Sequence, residues 1–310
     1  MERKIVTESC WQIRKNARES LKENWKLAIL GMLLFSVLYF VVIEIFNLLF
    51  PPEQLSNLKN TMLSDYQINE NIKMNNGLIS GIYQLLVTGP FLIGIEYFFL
   101  NISRKNQSFA ESPKIHQIFD GFNNFFKNLG IHLWMTLFVF LWILVAVLPG
   151  ILAISFFSFT AITSGRYGTL IFITPIIFVA IFVIGIIVTL RYSQVYILAA
   201  DNKNIGIRES LKTSIKLMKG NKGKLFILSL SYLGWIILNG IISGVVAALI
   251  GQIMISNLDL DTVQMINNSV IILLMIPSMT YISMGYVEFY KLLTEPKAIE
   301  EEITLTIKED

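Results

Sequence analysis

The segment that decides the fold is "SIKLMKGNKGKLFILSLSYLGW", residues 214–235, which changes from basic to apolar within a few positions. Four lysines and two glycines occupy its first eleven positions, and no charged residue follows Lys224 until Asp259. Two structures would explain this pattern. One is a glycine-rich loop that binds phosphate before a helix, and the other is the boundary between water and a membrane.

The segment does not fit a nucleotide-binding P-loop. That motif needs Gly, four residues, then Gly-Lys-Ser/Thr, so that backbone N–H groups surround the phosphates and a hydroxyl holds magnesium. Measured from the pair Gly223-Lys224, the first glycine position holds Met218, and the residue after the lysine is Leu225. The motif therefore fails at both ends.

Composition favours the membrane. Of the 310 residues 54% are hydrophobic and 15% are charged, against roughly a quarter charged in soluble domains. Charge-free runs of about 20 residues match a hydrocarbon core ~30 Å thick at 1.5 Å per residue. The sequence predicts an all-α, polytopic transmembrane helix bundle with six spans, near 27–50, 78–101, 129–150, 172–198, 225–250 and 269–290.

Two local patterns predict the shape and packing of the spans. In the third span apolar sequence runs on from Leu129 to Ile162, and a proline ring removes one backbone hydrogen bond of a helix. We therefore expect a kink or break at Pro149-Gly150. In the fifth span Gly240 and Gly244 form a G-x-x-x-G pair, which permits close helix contact, more often within a bundle than between subunits.

The distribution of Lys and Arg predicts the orientation, since short cytoplasmic loops retain positive charge. The segments 1–26, 102–128, 201–224 and 291–310 hold 7, 4, 7 and 3 of the chain's 25 basic residues. Both termini are therefore expected in the cytoplasm. The chain divides into a cytoplasmic amphipathic helix at 1–26, a six-span domain at 27–290 and a cytoplasmic acidic tail at 291–310.

Amphipathic helices are predicted on the cytoplasmic side before the first, third and fifth spans. Each has apolar residues at helical spacing beside basic ones, so the chain can be three units of interfacial helix, outward span and returning span. The apolar stripes are Ile13, Ala17, Leu21 and Trp25 in the first, Ile115, Ile118, Phe119, Phe122, Phe126 and Leu129 in the second, and Ile207, Leu211, Ile215 and Met218 in the third.

Basic residues of the third amphipathic helix and the turn after it are the predicted contacts with anionic lipid head groups. A solvated basic face whose apolar stripe packs on the spans is the alternative, and both interpretations can hold together. Gly220 and Gly223 are expected to let the chain turn into the fifth span. The candidate lipid contacts are Arg208, Lys212, Lys216, Lys219, Lys222 and Lys224.

The stretch "RYSQVYILAADNKNIGIRESLKTSIKLMKGNKGKLFILSLSYLGW", 191–235, carries a pattern that can be compared with known families. A Tyr-rich span end, an Ala-Asp turn at 200–201, a Met-x-Gly-x-Lys helix end at 218–222 and a Leu-Ser-x-x-Gly-Trp run at 230–235 follow one another. This pattern resembles the bacterial membrane-protein family catalogued as domain of unknown function 975. It is more distantly similar to the membrane region of some glycerophosphodiester phosphodiesterases. The resemblance implies a six-helix-class membrane protein without an established activity.

Charged residues inside spans are candidates for function, because each costs roughly 2.5–3.5 kcal/mol in the bilayer on insertion scales. On the predicted orientation Glu96, Arg191 and Glu288 lie in the inner third of their spans, where a bidentate contact of Arg191 with a carboxylate would lower the cost of both. Structural pairing or snorkelling is one interpretation. A binding site or pathway for a cation, a proton or a lipid head group is the other. Glu44 lies near the outer end of the first span.

Motifs for hydrolytic, metal or cofactor chemistry are missing from the sequence. His116 and His132 are its two histidines and Cys10 its one cysteine, and neither H-E-x-x-H nor G-x-S-x-G occurs. We expect no metal, no cofactor and no nucleic-acid partner.

These observations favour a non-enzymatic multi-pass protein of the bacterial cytoplasmic membrane, acting as a transporter-like unit or as a lipid-facing accessory to envelope proteins. Two other classes stay open: an intramembrane enzyme acting on lipid or peptide, and an immunity or export partner of a membrane-active peptide. The expected partners are membrane lipids, anionic ones above all, and another membrane protein. A polar cavity from the inner face to mid-bilayer would favour transport, whereas a closed bundle with paired charges would favour the accessory role.

Overall fold

The computed structural model describes residues 4–41, 65–105, 111–165, 168–254 and 260–295, and every regular element in these ranges is a helix. A π-helical turn, Val37–Val41, continues α2, and a 3-10 helix, Ile115–Phe122, precedes α4. The α-helices in chain order are α1 Cys10–Lys22, α2 Trp25–Ser36, α3 Asp65–Arg104, α4 Phe125–Ser164, α5 Gly168–Tyr192, α6 Val195–Asp201, α7 Ile207–Leu217, α8 Lys222–Leu230, α9 Leu233–Met254 and α10 Leu260–Thr294.

Five helical stretches are long and apolar enough to cross a membrane, and they coincide with the second to sixth predicted spans. The first predicted span is seen only in part, as the shorter apolar helix Trp25–Tyr39, and the remainder of 27–50 lies outside the described residues. The membrane-length stretches are Gly81–Arg104, Phe125–Ser164, Ile171–Asp201, Lys222–Gln252 and Met265–Thr294.

Helix α1 begins at a side-chain cap and buries one face. Ser9 is its N-cap, and the Ser9 hydroxyl accepts a 3.1 Å hydrogen bond from the backbone N–H of Gln12, which satisfies one of the free donors of the first turn. Ile13, Ala17 and Leu21, four residues apart, are completely buried. These are three of the four members of the predicted apolar stripe, and the fourth, Trp25, is partly exposed and begins α2.

The second amphipathic helix is a 3-10 helix instead of an α-helix, and it lies directly against α3. A Cβ atom at Gly94 of α3 would lie 1.8 Å from the carbonyl oxygen of Ile118, and one at Gly121 would lie 1.9 Å from that of Pro90. Two backbones can approach this closely only where both helices present glycine. Ile118 is completely buried, as its place in the predicted stripe requires.

Two members of that stripe are exposed, contrary to the prediction. Phe119 is 43% and Phe126 is 85% exposed. A 3-10 helix repeats every three residues and not every 3.6, and α4 begins anew at Phe125. The α-helical phase of the apolar pattern is therefore lost between Ile118 and Phe126.

The basic-to-apolar segment 214–235 folds as the end of α7, a turn, α8 and the start of α9. Gly220 provides the turn with a φ of 90°, which glycine adopts without a Cβ clash, whereas Gly223 lies within α8 and has open space around it. The buried side chain of Asn221 accepts from Val6 N at 2.9 Å and donates to the carbonyl of Lys4 at 2.7 Å. The turn thus also fixes the N-terminal segment.

The element order repeats three times in the described residues. A short amphipathic helix is followed, after a break of two to four residues, by a more apolar helix: α1 by α2, the 3-10 helix by α4, and α7 by α8. The residue before each apolar helix is an asparagine, Asn24, Asn124 or Asn221. This order supports the hypothesis of three repeated units.

The core lies at one end of the bundle, called here the basic end because the lysine-rich connections are there. In the apolar part of the Gly81–Arg104 stretch of α3 61% of the residues are buried, compared with 6% in the Ile171–Asp201 stretch. Phe156 of α4, Phe182 of α5 and Val245 of α9 are each more than half exposed. Such surface is unfavourable in water, but it is matched by lipid tails, which are as apolar as leucine.

The structure bears on two expectations about helix shape and packing. Of the kink or break expected at Pro149-Gly150 the break is wrong, because helix α4 continues through Pro149 to Ser164. At Gly240 and Gly244, the G-x-x-x-G pair of α9, an added Cβ atom would meet nothing within 4 Å. This pair therefore makes no close helix contact within the described part of the bundle.

Candidate functional site

Three helices that return to the basic end are joined by one arginine. Arg104 ends α3, Asp201 ends α6 and Glu295 follows α10. The guanidinium of Arg104 donates to both carboxylate oxygens of Asp201, with Nη2 at 3.3 Å from Oδ2, and its Nε donates to Oε1 of Glu295 at 2.7 Å. The three side chains are 14%, 23% and 24% exposed, so these ion pairs are partly shielded from water.

A buried tyrosine extends this arrangement into the bundle. The hydroxyl of Tyr290 donates a 2.8 Å hydrogen bond to Oδ2 of Asp201, and Tyr290 itself is completely buried. Asp201 thus accepts hydrogen bonds from a charged donor, Arg104, and a neutral donor, Tyr290. A carboxylate with several donors costs far less to bury than an isolated one.

Glu288 is the second centre of polar contacts and is 5% exposed. Its Oε1 accepts hydrogen bonds from the hydroxyls of Ser20 at 2.7 Å and Ser103 at 2.5 Å, while its Oε2 lies 3.4 Å from the ammonium of Lys291. Lys291 also donates to the carbonyl of Ser103 at 3.2 Å. The predicted site residue Glu288 therefore joins α1, α3 and α10.

We call these two groups together the inner polar network. Every ionised side chain in it has a partner of opposite charge. Its members are Ser20, Ser103, Arg104, Asp201, Glu288, Tyr290, Lys291 and Glu295.

Arg191, the second predicted site residue, lies apart from this network. Its guanidinium carbon is 5.7 Å from the ring centre of Trp142 and 5.9 Å from that of Tyr192, as in cation–π contacts. Its Nε is buried without a hydrogen-bond acceptor. The ring faces take the place of the carboxylate that we expected.

Glu96, the third predicted site residue, has a buried Oε2 atom without a hydrogen-bond partner. Among the ion pairs of the described residues, none connects Arg191 with Glu96 or with Glu288. The predicted pairing of Arg191 with a glutamate is therefore not formed, and Glu288 is neutralised by Lys291 in its place.

Seven members of the network were not predicted as site residues, and four of them are charged: Arg104, Asp201, Lys291 and Glu295. These four lie just outside the predicted spans, where the basic residues were used to predict orientation alone. A signal was present for one of them. Asp201 is the acidic residue of the Ala-Asp turn in the family pattern. A turn between two helices needs no charged residue for its geometry, so the aspartate indicates another role.

The predicted lipid contacts form a surface on α7 and the turn after it. Arg208, Lys212, Lys216 and Lys219 are exposed, and Lys222 and Lys224 are partly exposed. The opposite face of α7 is buried through Ser210, Leu211, Ser214 and Leu217. The six residues are thus accessible to a ligand from outside the bundle, and we call them the α7 basic surface.

One member of the α7 basic surface also has an aromatic neighbour. The guanidinium of Arg208 lies 5.1 Å from the ring centre of Trp134 on α4. Trp is typical of the membrane–water interface. The pair therefore places the α7 basic surface beside the basic end of α4.

No group of three or more His, Cys, Asp and Glu side chains able to hold a metal ion occurs in the part of the chain that the structure describes.

Apolar helices of membrane length, apolar residues exposed along them and a polar network at their basic end define a helical membrane protein. The chain belongs to the family described as "Protein of unknown function (DUF975)", whose sequence model matches residues 8–297. This match confirms the family resemblance carried by 191–235. Comparison with curated proteins and with solved structures gave no match.

Proposed function

We propose that the protein is a six-span protein of the bacterial cytoplasmic membrane with both termini in the cytoplasm, and that it acts without catalysis as a lipid-facing accessory protein. The observation that carries this proposal is the inner polar network. Its ion pairs and hydrogen bonds tie α1, α3, α6 and α10 together, so the charged groups of the network are occupied in structural contacts.

The charge distribution supports the orientation. Arg104, Asp201, Lys291 and the α7 basic surface all lie at the basic end, next to the segments that hold most of the chain's Lys and Arg. Basic residues concentrate at the cytoplasmic face. An even number of spans, with the first at 27–50, would return the C-terminal tail to the same side as the N-terminus.

The lipid-facing role is supported by what the protein exposes. Apolar side chains of α4, α5 and α9 point out of the bundle, and the α7 basic surface is accessible near the same end as the network. An anionic leaflet attracts such basic residues with about 1 kcal/mol each. We expect anionic lipids to be the main partners, and an envelope protein to be the second.

A transporter-like role is the second candidate, and one observation favours it. Buried polar atoms without partners, Oε2 of Glu96 and Nε of Arg191, lie inside membrane-length helices. Polar groups kept unsatisfied in a bilayer are costly and often mark ion or substrate pathways. The intramembrane enzyme and the peptide-immunity partner have no comparable observation in their favour. The distant similarity to phosphodiesterase membrane regions stays a prediction.

The orientation can be tested by cysteine labelling in a Cys10→Ser background. Asn60→Cys and Asn257→Cys, in the two longer segments predicted to face outward, should react in intact cells with a reagent that does not cross membranes. Asn204→Cys, in the connection between α6 and α7, should react only after lysis. Labelling of Asn204→Cys in intact cells would contradict the proposed orientation.

The lipid-facing role can be tested by native mass spectrometry of protein extracted from membranes. The wild type should retain phosphatidylglycerol in preference to phosphatidylcholine. Changing Lys212, Lys216, Lys219 and Lys222 together to Gln should reduce that preference, because each removes one attractive charge. A wild type that retains the two lipids equally would count against the proposed function.

A further inference from the structure

A second surface of the protein carries a groove that the basic-residue pattern did not predict. It has a volume of about 480 Å³ and lies between α1, α9 and α10, which is within the range of roughly 300–1,000 Å³ typical of small-ligand pockets. Its two ends differ in chemistry. Arginines of α1 line one end, and aliphatic side chains of α9 and α10 line the other.

At the polar end two guanidinium groups lie four residues apart on α1. Arg14 is held in place by Tyr281 and Ser231, with its Nε 3.3 Å from the tyrosine hydroxyl and its Nη1 3.2 Å from the serine carbonyl. Arg18 is exposed. Neither forms an ion pair with a carboxylate in the described ranges of the chain.

These arginines differ from the charged residues of the inner polar network. Arg104 and Lys291 are neutralised by carboxylates of the inner polar network, whereas Arg14 keeps guanidinium N–H groups beyond the two that it uses. A guanidinium offers five donors in a planar fork that fits phosphate oxygens. The polar end of the groove is therefore complementary to an anion.

Aromatic residues line the groove beside the arginines. They are Trp25, Trp235 and Tyr281. Trp and Tyr concentrate at the head-group level of membranes, because one edge of each ring is polar and the remainder is apolar. Such rings are suited to the boundary between the arginine end and the apolar end of the groove.

The apolar end extends from there along two helices. Leu238 and Ile242 follow Trp235 on α9, and Leu274 lies one to two turns before Tyr281 on α10. From Trp235 to Ile242 the helix advances about 10 Å. This is a suitable length for the upper methylene groups of an acyl chain.

Two other polar side chains of the lining bond to each other. Asn239 on α9 donates through Nδ2 to the hydroxyl of Ser278 on α10, so the wall between the two ends presents little unpaired polarity. A ligand bound here would need an anion at one end and a hydrocarbon chain at the other, and this requirement fixes its orientation.

We propose that this groove binds one anionic phospholipid of the inner leaflet, with its phosphate on Arg14 and Arg18 and an acyl chain against Leu238, Ile242 and Leu274. The site is separate from the α7 basic surface. The proposal rests on the proposed membrane orientation, which places α1 at the inner interface. It adds a defined site to the general attraction of basic residues for an anionic leaflet.

The test uses the full-length protein, purified in detergent and equilibrated with phosphatidylglycerol or phosphatidylcholine, and counts bound lipids by native mass spectrometry. Arg14→Gln/Arg18→Gln should bind phosphatidylglycerol roughly 100-fold more weakly than the wild type, because two charge-assisted contacts with the phosphate are lost. The matched control is Lys15→Gln/Lys22→Gln, which removes the same charge from other positions of α1 and should retain nearly all binding.

Two further variants keep the result interpretable if loss of the Arg14 contacts disturbs folding. Arg18→Gln alone changes an exposed side chain and should weaken binding several-fold. Ile242→Trp fills the apolar end without any change of charge, and it should also release the lipid. Thermal unfolding checks that each variant is folded.

The outcomes separate this proposal from the proposed function. A wild type that prefers phosphatidylglycerol, with Arg18→Gln and Ile242→Trp binding it equally well, would overturn the groove and leave the lipid-facing role intact. Equal losses in the Arg14/Arg18 variant and in its lysine control would also overturn it, since general attraction alone would then account for binding. A wild type without lipid preference would contradict both.

Discussion

The hydroxyl of Ser20 donates a 2.7 Å hydrogen bond to Oε1 of Glu288, and this contact joins residues 268 positions apart in sequence. It connects α1, which precedes the first predicted span, to α10, which contains the last predicted span. Because Ser103 of α3 donates to the same oxygen, one carboxylate holds three helices at the basic end. The bundle is therefore closed there by polar contacts as well as by apolar packing.

Removal of this carboxylate should destabilise the protein. Glu288→Leu leaves the Ser20 and Ser103 hydroxyls and the Lys291 ammonium without their acceptor, and we expect a loss of about 3 kcal/mol. Glu288→Gln keeps an acceptor oxygen for the serines and should lose about 1 kcal/mol. Unfolding in mixed detergent micelles, followed by circular dichroism, measures both. Equal stability of the Leu and Gln variants would contradict the structural role of Glu288.

Arg104 should be coupled energetically to Asp201. Arg104→Leu leaves two partly buried carboxylates unpaired and should cost about 3 kcal/mol. In combination with Asp201→Asn, which keeps an acceptor for Tyr290, the loss should be smaller than the sum of the two single losses. A double-mutant cycle of unfolding free energies measures this coupling.

The neighbouring Lys105 is the control for that cycle. Its ion pair with Glu23 is 3.4 Å long, and the two side chains are 41% and 77% exposed. Exposed pairs contribute about 0–1 kcal/mol. Lys105→Gln should therefore leave stability nearly unchanged. A loss as large as that of Arg104→Leu would show that position on the helix, and not pairing, sets the effect.

The contact between α3 and the 3-10 helix should not tolerate a single added methyl group. A Cβ at Gly94 would meet the backbone oxygen of Ile118 at 1.8 Å, so Gly94→Ala should cost at least about 1–3 kcal/mol, as overpacking does. Gly81→Ala on the same helix is the matched control, because nothing lies within 4 Å of its Cβ position. Thermal unfolding of the two variants measures the difference in stability. Equal midpoint temperatures would contradict the close approach of α3 and the 3-10 helix.

Arg191 should act independently of the two predicted glutamates. Its neighbours are the Trp142 and Tyr192 rings, and no ion pair of the described residues joins it to Glu96 or Glu288. Arg191→Leu should therefore cost the same in the wild type and in a Glu96→Gln background, within about 0.5 kcal/mol. Trp142→Leu should instead show coupling to Arg191→Leu. Unfolding free energies of the single and double variants provide the measurement.

The spans were predictable because their signal is local. A charge-free run of about 20 residues has few structures open to it other than a membrane helix, and five of the six runs lie in helical stretches long enough to cross a membrane. The buried face of α1 was predictable for the same reason. Ile13, Ala17 and Leu21 lie on one face at a spacing of four residues whatever they contact.

The contacts between helix ends were not predictable from such patterns. Arg104 and Asp201 are 97 residues apart, and the sequence around either residue does not indicate which helix ends meet. The expectation for Arg191 failed for a related reason. Depth in the membrane was inferred from position along each span, but position does not say which helices a side chain meets: Arg191 lies by Trp142 of α4, and Glu288 contacts α1 and α3.

The exposed halves of α4, α5 and α9 make the surrounding hydrocarbon a component of this architecture. Within the described residues the chain's own side chains pack most densely at the basic end, while the exposed apolar side chains farther along these helices take acyl tails as neighbours. Bilayer thickness should consequently act on the two ends unequally. Shorter or longer tails would rearrange the loosely packed ends and leave the Arg104 junction as the fixed pivot about which they move.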